Sequence, residues 1–154
     1  MSRRGAGVRD PSPTARMMVG MTEDEHRAEV TRALEQAGFT VATDRHYLRA
    51  FSHMILWDGT GVEAWISRTA NGWRVSDLGQ AYFMAVSTCM PAETEQWEAL
   101  AWGYNLTCDR GYWRDVEDGP DLTTRLVGVV RDVVAFQIAV HGYALAMRDV
   151  RGFT

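Results

Sequence analysis

Two turn dipeptides, Asp58-Gly59 and Asn71-Gly72, bracket the run Val62 to Arg68, in which apolar and polar residues alternate. Asn-Gly and Asp-Gly suit tight hairpins because both central positions of a two-residue turn take positive φ. A chain punctuated in this way folds back on itself twice, so Tyr47 to Ser76 reads as a three-stranded antiparallel meander. With Asn71-Gly72 as the turn, Ala70 opposes Trp73, Thr69 opposes Arg74 and Arg68 opposes Val75. Opposed residues share a face. Val62, Ala64, Ile66, Trp73 and Val75 therefore form a core face, and an even-length loop at Asp58 adds Ile55 and Trp57 to it. The other face carries Met54, Leu56, Glu63, Trp65, Ser67, Arg74 and Ser76.

Outside the meander the period changes to that of helices. Thr22 followed by Glu23, Asp24 and Glu25 sets up a capping box, and the helix it opens runs to about Ala37. Gly38 stops it, lacking the Cβ that resists a left-handed C′ position, and Phe39 folds back on Leu34. Ser76 or Asp77 caps a short helix from Leu78 to about Ser87. Pro91 suits the start of the next, which shows Trp97, Leu100, Ala101 and Tyr104 on one stripe. Leu106 to Val116, folded at Asp109-Arg110-Gly111, reads as a second hairpin. A long helix spans about Asp121 to Asp149, with Leu122, Leu126, Val129, Val133, Phe136, Val140, Tyr143 and Met147 at spacings of four and three. The class is α+β: a three-stranded meander plus a second hairpin, packed with an N-terminal helix, two middle helices and a long C-terminal one. The final stripe has two readings. It seams a homodimer as heptads do, or it is a central helix, since Val127, Val130, Val134, Ile138 and Leu145 widen its apolar surface.

A length of 154 residues suits one domain, placed at 21–154. Residues 1–20 combine Arg, Gly, Pro and Ser without apolar periodicity and read as a flexible tail. Met17, Met18 and Met21 stand beside Met1 as alternative translation starts. Lysine is absent, and the tail holds four Arg against Asp10, whereas residues 21–154 hold 12 Arg against 19 acids, a net −7. Such a body is a poor surface for phosphates, so nucleic acid is not expected on it. Cys89 and Cys108 form no CxxC pair and read as reduced, packed thiols. No export signal is visible. The stretch Val133 to Met147, interrupted by Gln137 and His141, falls short of a bilayer span. These features place the chain in the cytoplasm.

Chemistry-bearing motifs are scarce. His26, His46, His53 and His141 stand in no metal-ligand spacing, so no metal site is expected. No nucleophile elbow, Walker loop or dinucleotide fingerprint occurs, and no cofactor is expected. Gly59-Thr60-Gly61 is a hairpin connection; Asp115, Glu117 and Asp118 read as a solvated acidic turn, and His141 as a hydrogen-bonded core histidine. Asp77 at a strand-to-helix junction reads first as a cap. Trp65, Arg74, Glu63 and Ser67 form the expected binding surface, with Arg74 diagonal to Trp65 at cation–π reach.

The run Ala64-Trp65-Ile66-Ser67-Arg68-Thr69-Ala70-Asn71-Gly72-Trp73-Arg74-Val75-Ser76-Asp77-Leu78-Gly79 resembles the bacterial and phage family called domain of unknown function 1828. In that family a strand, an Asn/Asp-Gly turn, a second strand and a Ser/Thr-Asp-x-Gly step into a helix recur. The likeness spans about residues 40–148, through the Trp97 helix, the second hairpin and the last helix. Leu78 stands where the family often has a second acid. The resemblance implies a small prokaryotic or phage protein encoded on mobile elements.

Three functions remain in play. The first is a non-catalytic binding or regulatory module for a protein partner, its acidic body steering toward a basic one. The second is a hydrolase-like enzyme built on Asp77 with His46 or His53. The third is a nucleic-acid binder that uses the Arg-rich tail. Because the tail composition cannot support packing, deleting residues 1–20 is expected to leave the thermal midpoint within a few degrees of full length. Differential scanning calorimetry of the two chains checks this.

Overall fold

The computed structural model describes residues 21–56, 59–87 and 94–150. The first helix, α1 (Glu23–Gln36), starts where the capping residue predicts, the Thr22 hydroxyl accepting the Glu25 N–H at 3.2 Å. Its first turn carries Glu23, Asp24 and Glu25, which suit the positive helix end. At the other end Gly38, with φ 99°, donates to the Glu35 carbonyl and Phe39 donates to that of Leu34. This is the paired closure of a Schellman motif. Val30 and Leu34 point from α1 into the core.

Six strands follow: β1 (Thr40–Thr43), β2 (Leu48–Ile55), β3 (Gly61–Arg68), β4 (Gly72–Ser76), β5 (Thr107–Cys108) and β6 (Tyr112–Glu117). Between β4 and β5 lie α2 (Gln80–Ser87) and α3 (Thr94–Gly103), and the last described element is α4 (Leu122–Val150). The strands form one antiparallel sheet in the order β1-β2-β3-β4-β6-β5. The expected α+β class holds, with two differences. The meander and the second hairpin merge through β4 and β6, and β1 adds a strand closed by the Asp44 N–H on the Tyr47 carbonyl.

Local register departs from expectation in two places. The turn after β3 closes on Ala70 and Asn71, since Arg68 opposes Trp73 and Thr69 N–H reaches the Gly72 carbonyl. That is a shift of two residues, so every side chain keeps its face. The loop after β2 has the larger effect. Leu56 N–H closes on the Thr60 carbonyl, enclosing three residues rather than an even number, and Ile55 opposes Gly61. An odd loop reverses sidedness. Ile55, expected in the core, is 72% exposed, whereas Leu56, expected outside, is buried. Trp57 lies outside the described residues. The β2–β3 register also shifts between Phe51 and Ile55, where His53 takes φ 66° and the Ser52 hydroxyl donates to the Val62 carbonyl.

Helices pack on one face of the sheet. There Leu48, Ala50, Val62, Ala64, Ile66, Trp73, Val75 and Val116 are buried against α1 and α4. Leu122, Leu126, Val129, Val133, Phe136 and Val140 of α4 are buried too, joined by Val127, Val130 and Val134. Phe136 meets Tyr112 at 4.6 Å and Tyr104 at 6.1 Å between ring centroids, and Trp97 stands edge-on to Tyr143 at 5.0 Å. The α4 stripe thus lies in this chain's own core. Leu122–Met147 is long and apolar enough to cross a membrane, which corrects the shorter span inferred from Val133 to Met147. Half of its most apolar window is buried inside the fold, where it serves as the core helix.

The joint between β4 and β6 leaves no room at Gly72. A Cβ there would fall on the Val116 carbonyl oxygen and within 2.8 Å of Glu117 Cα. Gly72→Ala is expected to cost about 3 kcal/mol, the upper part of the overpacking range. Gly142→Ala, in open space on α4, is expected to gain about 0.5–1 kcal/mol from helix propensity. Urea unfolding of both variants tests the contrast.

Candidate functional site

Pairing across the sheet lays out its other face in rows. Arg49 of β2 opposes Trp65 of β3, Trp65 opposes Ser76 of β4, Ser76 opposes Trp113 of β6, and Trp113 opposes Thr107 of β5. One row further along, Ser67 opposes Arg74 and Arg74 opposes Asp115. On the other side Phe51 opposes Glu63. Trp65 and Trp113 are therefore two strands apart, about 10 Å at ordinary strand spacing. Between them sits the small, buried Ser76, whose hydroxyl accepts the Leu78 N–H at 3.0 Å. Two half-buried indoles stand on either side of a serine floor.

Arginines cover these rings. The Arg74 guanidinium carbon lies 3.7 Å from the Trp113 ring centroid, and that of Arg49 lies 5.7 Å from Trp65 and 5.2 Å from Phe51. Each cation is also paired. Arg74 grips Asp115 bidentately, Nε to Oδ1 at 2.7 Å and Nη2 to Oδ2 at 3.0 Å, and this bond raises the Arg74 pKa above its usual value. One Arg49 Nη donates to both Glu63 oxygens, at 2.8 and 3.1 Å. Behind Glu63, the buried Gln137 of α4 donates to the Glu63 carbonyl at 2.8 Å, fixing β3 against the core helix.

Of the expected binding residues, Trp65, Arg74, Glu63 and Ser67 all lie on this face. The expected Arg74–Trp65 stack gives way to two others, because each ring takes the arginine that its own row and flank supply. Sequence reasoning missed Arg49, Phe51, Trp113 and Asp115. Alternation in Tyr112 to Glu117 hinted at Trp113, but only the β4–β6 pairing assigns it to this face. Asp115 and Glu117 lie in β6 rather than in a solvated turn, and Asp118 pairs with Arg68 at 2.9 Å.

The weaker candidates are dispersed. Asp77 is wholly buried; its Oδ1 accepts the N–H of Gly79 and of Tyr112, each at 2.9 Å, and its Oδ2 accepts the N–H of Ala81 at 3.0 Å. Burial pushes its carboxyl above the usual range, against the pull of these N–H groups. His53 bonds the Thr40 hydroxyl at 2.8 Å, and the His46 backbone N–H goes to Asp44 Oδ1 at 3.0 Å. The three do not share hydrogen bonds. His141 is buried on α4. Cys108 is an exposed thiol rather than a packed one, its pKa raised chiefly by partial desolvation, and Cys89 lies outside the described residues. Among the described residues no group of three acids, His or Cys could hold a metal ion.

The chain matches no family model, no curated protein and no solved structure.

Asp77 does more than cap α2, because its third N–H comes from β6 and ties the two hairpins together. Both oxygens act as acceptors, so an amide cannot replace the carboxylate: Asn would aim an NH2 at one of three N–H donors. Asp77→Asn is expected to cost about 1–3 kcal/mol, and Asp77→Ala more, since it orphans all three donors. Denaturant melts of both variants check the order.

Proposed function

We propose that the chain is a non-catalytic binding module that engages a protein partner through the open face of its sheet. The observation that carries this reading is the row Arg49, Trp65, Ser76, Trp113 with Arg74 beside it. Among the described residues, no helix packs over it. Trp and Arg are the residues that most often dominate protein interfaces, and the slot over Ser76 offers a partner side chain two indole walls. Each arginine on the face already has a carboxylate, Glu63 or Asp115, so the surface holds no excess positive charge for a phosphate backbone. That balance favours a protein over a nucleic acid. The wholly buried Asp77, apart from His46 and His53, gives the hydrolase reading no accessible carboxylate. The resemblance to domain of unknown function 1828 supports a small accessory protein of a prokaryote or phage.

Trp65→Ala with Trp113→Ala tests the proposal. Both side chains are only half-buried, so the double variant is expected to remain folded, losing roughly 1–2 kcal/mol. Affinity capture from the source cells is expected to retain a partner with wild type and with Phe83→Ser, a control at an exposed position of α2, and to lose it with the double variant. Titration of that partner should then show a loss of about 2 kcal/mol or more for Trp65→Ala. Equal capture by all three proteins would end the case for this face.

A further inference from the structure

β1 is the end strand of the sheet, and two turns show which of its backbone groups face outward. At the β1–β2 turn the Asp44 N–H donates to the Tyr47 carbonyl at 2.9 Å, which makes Asp44 and Tyr47 a hydrogen-bonded pair. Bonded and non-bonded pairs alternate along an antiparallel ladder, so Ala42 with Arg49 and Thr40 with Phe51 are bonded, whereas Val41 with Ala50 and Thr43 with Leu48 are not. The β3–β4 turn gives the same answer from the other side. Thr69 N–H donates to the Gly72 carbonyl, so Ser67 and Trp65 bond β4, Ile66 and Ala64 bond β2, and the backbones of Leu48 and Ala50 are turned toward β3. The N–H and C=O groups of Val41 and Thr43 therefore project from the open edge. Among the described residues no strand or turn pairs with them.

α1 flanks that edge. One stripe of the helix, Asp24, Arg27, Ala28, Thr31 and Glu35, borders with Thr43 a concavity of about 490 Å³. Both ends of the arrangement are tied. Phe39 N–H closes on the Leu34 carbonyl at one end, and Arg27 donates to the Asp44 and Tyr47 carbonyls, at 2.9 and 3.3 Å, at the other. An edge strand with a helix beside it and a groove between them is a geometry in which extended peptides add to sheets, the strand supplying main-chain bonds and the groove receiving alternate side chains. β1 carries few of the devices that block such addition, since Thr40, Val41, Ala42 and Thr43 include no charge and no proline and pair with β2 without a bulge. α1 sets the charge of the occupant, with five acids against two arginines between Glu23 and Gln36. A second copy of the chain would bring a second α1 of the same charge to the edge, which like-charge repulsion opposes.

We infer that the β1 edge is a docking site for an extended, basic segment of a protein partner, which adds as a further strand in the groove between β1 and α1. The segment's N–H and C=O groups pair with those of Val41 and Thr43, and every second side chain enters the groove beside Ala28 and Thr31. Small or β-branched residues suit those positions, and Arg or Lys in the flanks meets the acids of α1. The site lies two strands from Trp65 and four from Trp113, and it does not depend on the function of the open face.

Full-length protein serves as bait for a displayed library of random octapeptides, and each enriched sequence is then titrated as free peptide. Enriched peptides are expected to carry net positive charge. Methylating their backbone nitrogens at one set of alternate positions should abolish binding, because only that set faces β1. Thr43→Pro removes an outward N–H and leaves the β1–β2 ladder intact, so the thermal midpoint should barely move while the peptide binds at least about tenfold more weakly. Ala28→Arg, at an exposed position of α1, should weaken it similarly by filling the groove with a like charge. Amide exchange is a second readout. In the free protein Val41 and Thr43 should exchange faster than Ala42, and saturating peptide should slow both at least about tenfold. Failure to enrich any peptide, binding indifferent to backbone methylation or to Thr43→Pro, or a dimer that Thr43→Pro dissociates would overturn the inference. Peptides that ignore Thr43→Pro but are lost with the Trp65→Ala, Trp113→Ala double variant would overturn it too, by belonging to the open face.

Discussion

The pairing of β4 with β6 is the constraint from which both faces of the protein follow. Five consecutive residues of β4, Gly72 to Ser76, meet Glu117 to Trp113 in unbroken antiparallel register. Without it the chain holds a meander and a two-residue hairpin partner, neither wide enough to cover a helix the length of α4. With it Trp73 comes beside Val116 and Tyr112 comes under Phe136, so one continuous apolar face meets α4. The opposite face acquires Trp113 and Asp115 at the same stroke. Gly72 permits the approach of the two backbones, and Asp77 fastens its far end, accepting the Tyr112 N–H with its carboxylate while its own N–H donates to the Tyr112 carbonyl.

How much of this was legible in the sequence depends on how far apart the interacting residues stand. Thr22, Gly38 and Phe39 act within one or two helical turns, and the α1 boundaries followed from them. The core face of β3 and β4 was also readable, because a register error of two residues does not change sidedness. Ile55 and Leu56 were misassigned because sidedness depends on the parity of a loop, and Asp58-Gly59 admits three residues as readily as two. β1 went unread since Thr40-Val41-Ala42-Thr43 is short and lies between two turns. Nothing local announces the β4–β6 pairing, whose partners lie 35 or more residues apart, so Trp113 and the second role of Asp77 were out of reach. Trp65, Glu63, Ser67 and Arg74 were legible as a face; which ring each arginine would cover was not.

Stacked arginines change what an exposed aromatic surface does. A bare row of Trp65, Trp113 and Phe51 on an open sheet would invite non-specific association. Guanidinium groups over the rings place a cation where the solvent would meet the π face, and Glu63 and Asp115 then neutralise it. The pairs are partly solvated, so each adds little to stability. Their effect lies in geometry, since a guanidinium gripped by a carboxylate cannot swing freely away from its ring. A partner that displaces Arg74 or Arg49 must offer the freed charge something better than the carboxylate it leaves. On the proposed reading that requirement would make the face selective, because apolar area alone would not satisfy it.

The arginines beside α1 are arranged on a different principle, and the contrast bears on what each does for the fold. On the open face the Arg49 and Arg74 guanidinium groups are each matched by an acid from a neighbouring strand, so charge is cancelled within the sheet. Arg27 is instead oriented by the Asp44 and Tyr47 carbonyls, and carbonyls fix direction without cancelling charge. Those bonds reach from α1 to the β1–β2 turn and so hold the helix against the sheet edge. Because the Arg27 side chain is only half-buried, its charge stays hydrated and costs little to keep. One chain with a single basic side-chain type thus builds two unlike contacts. The difference between them lies in whether the acceptor is a carboxylate or a carbonyl, and not in the arginine.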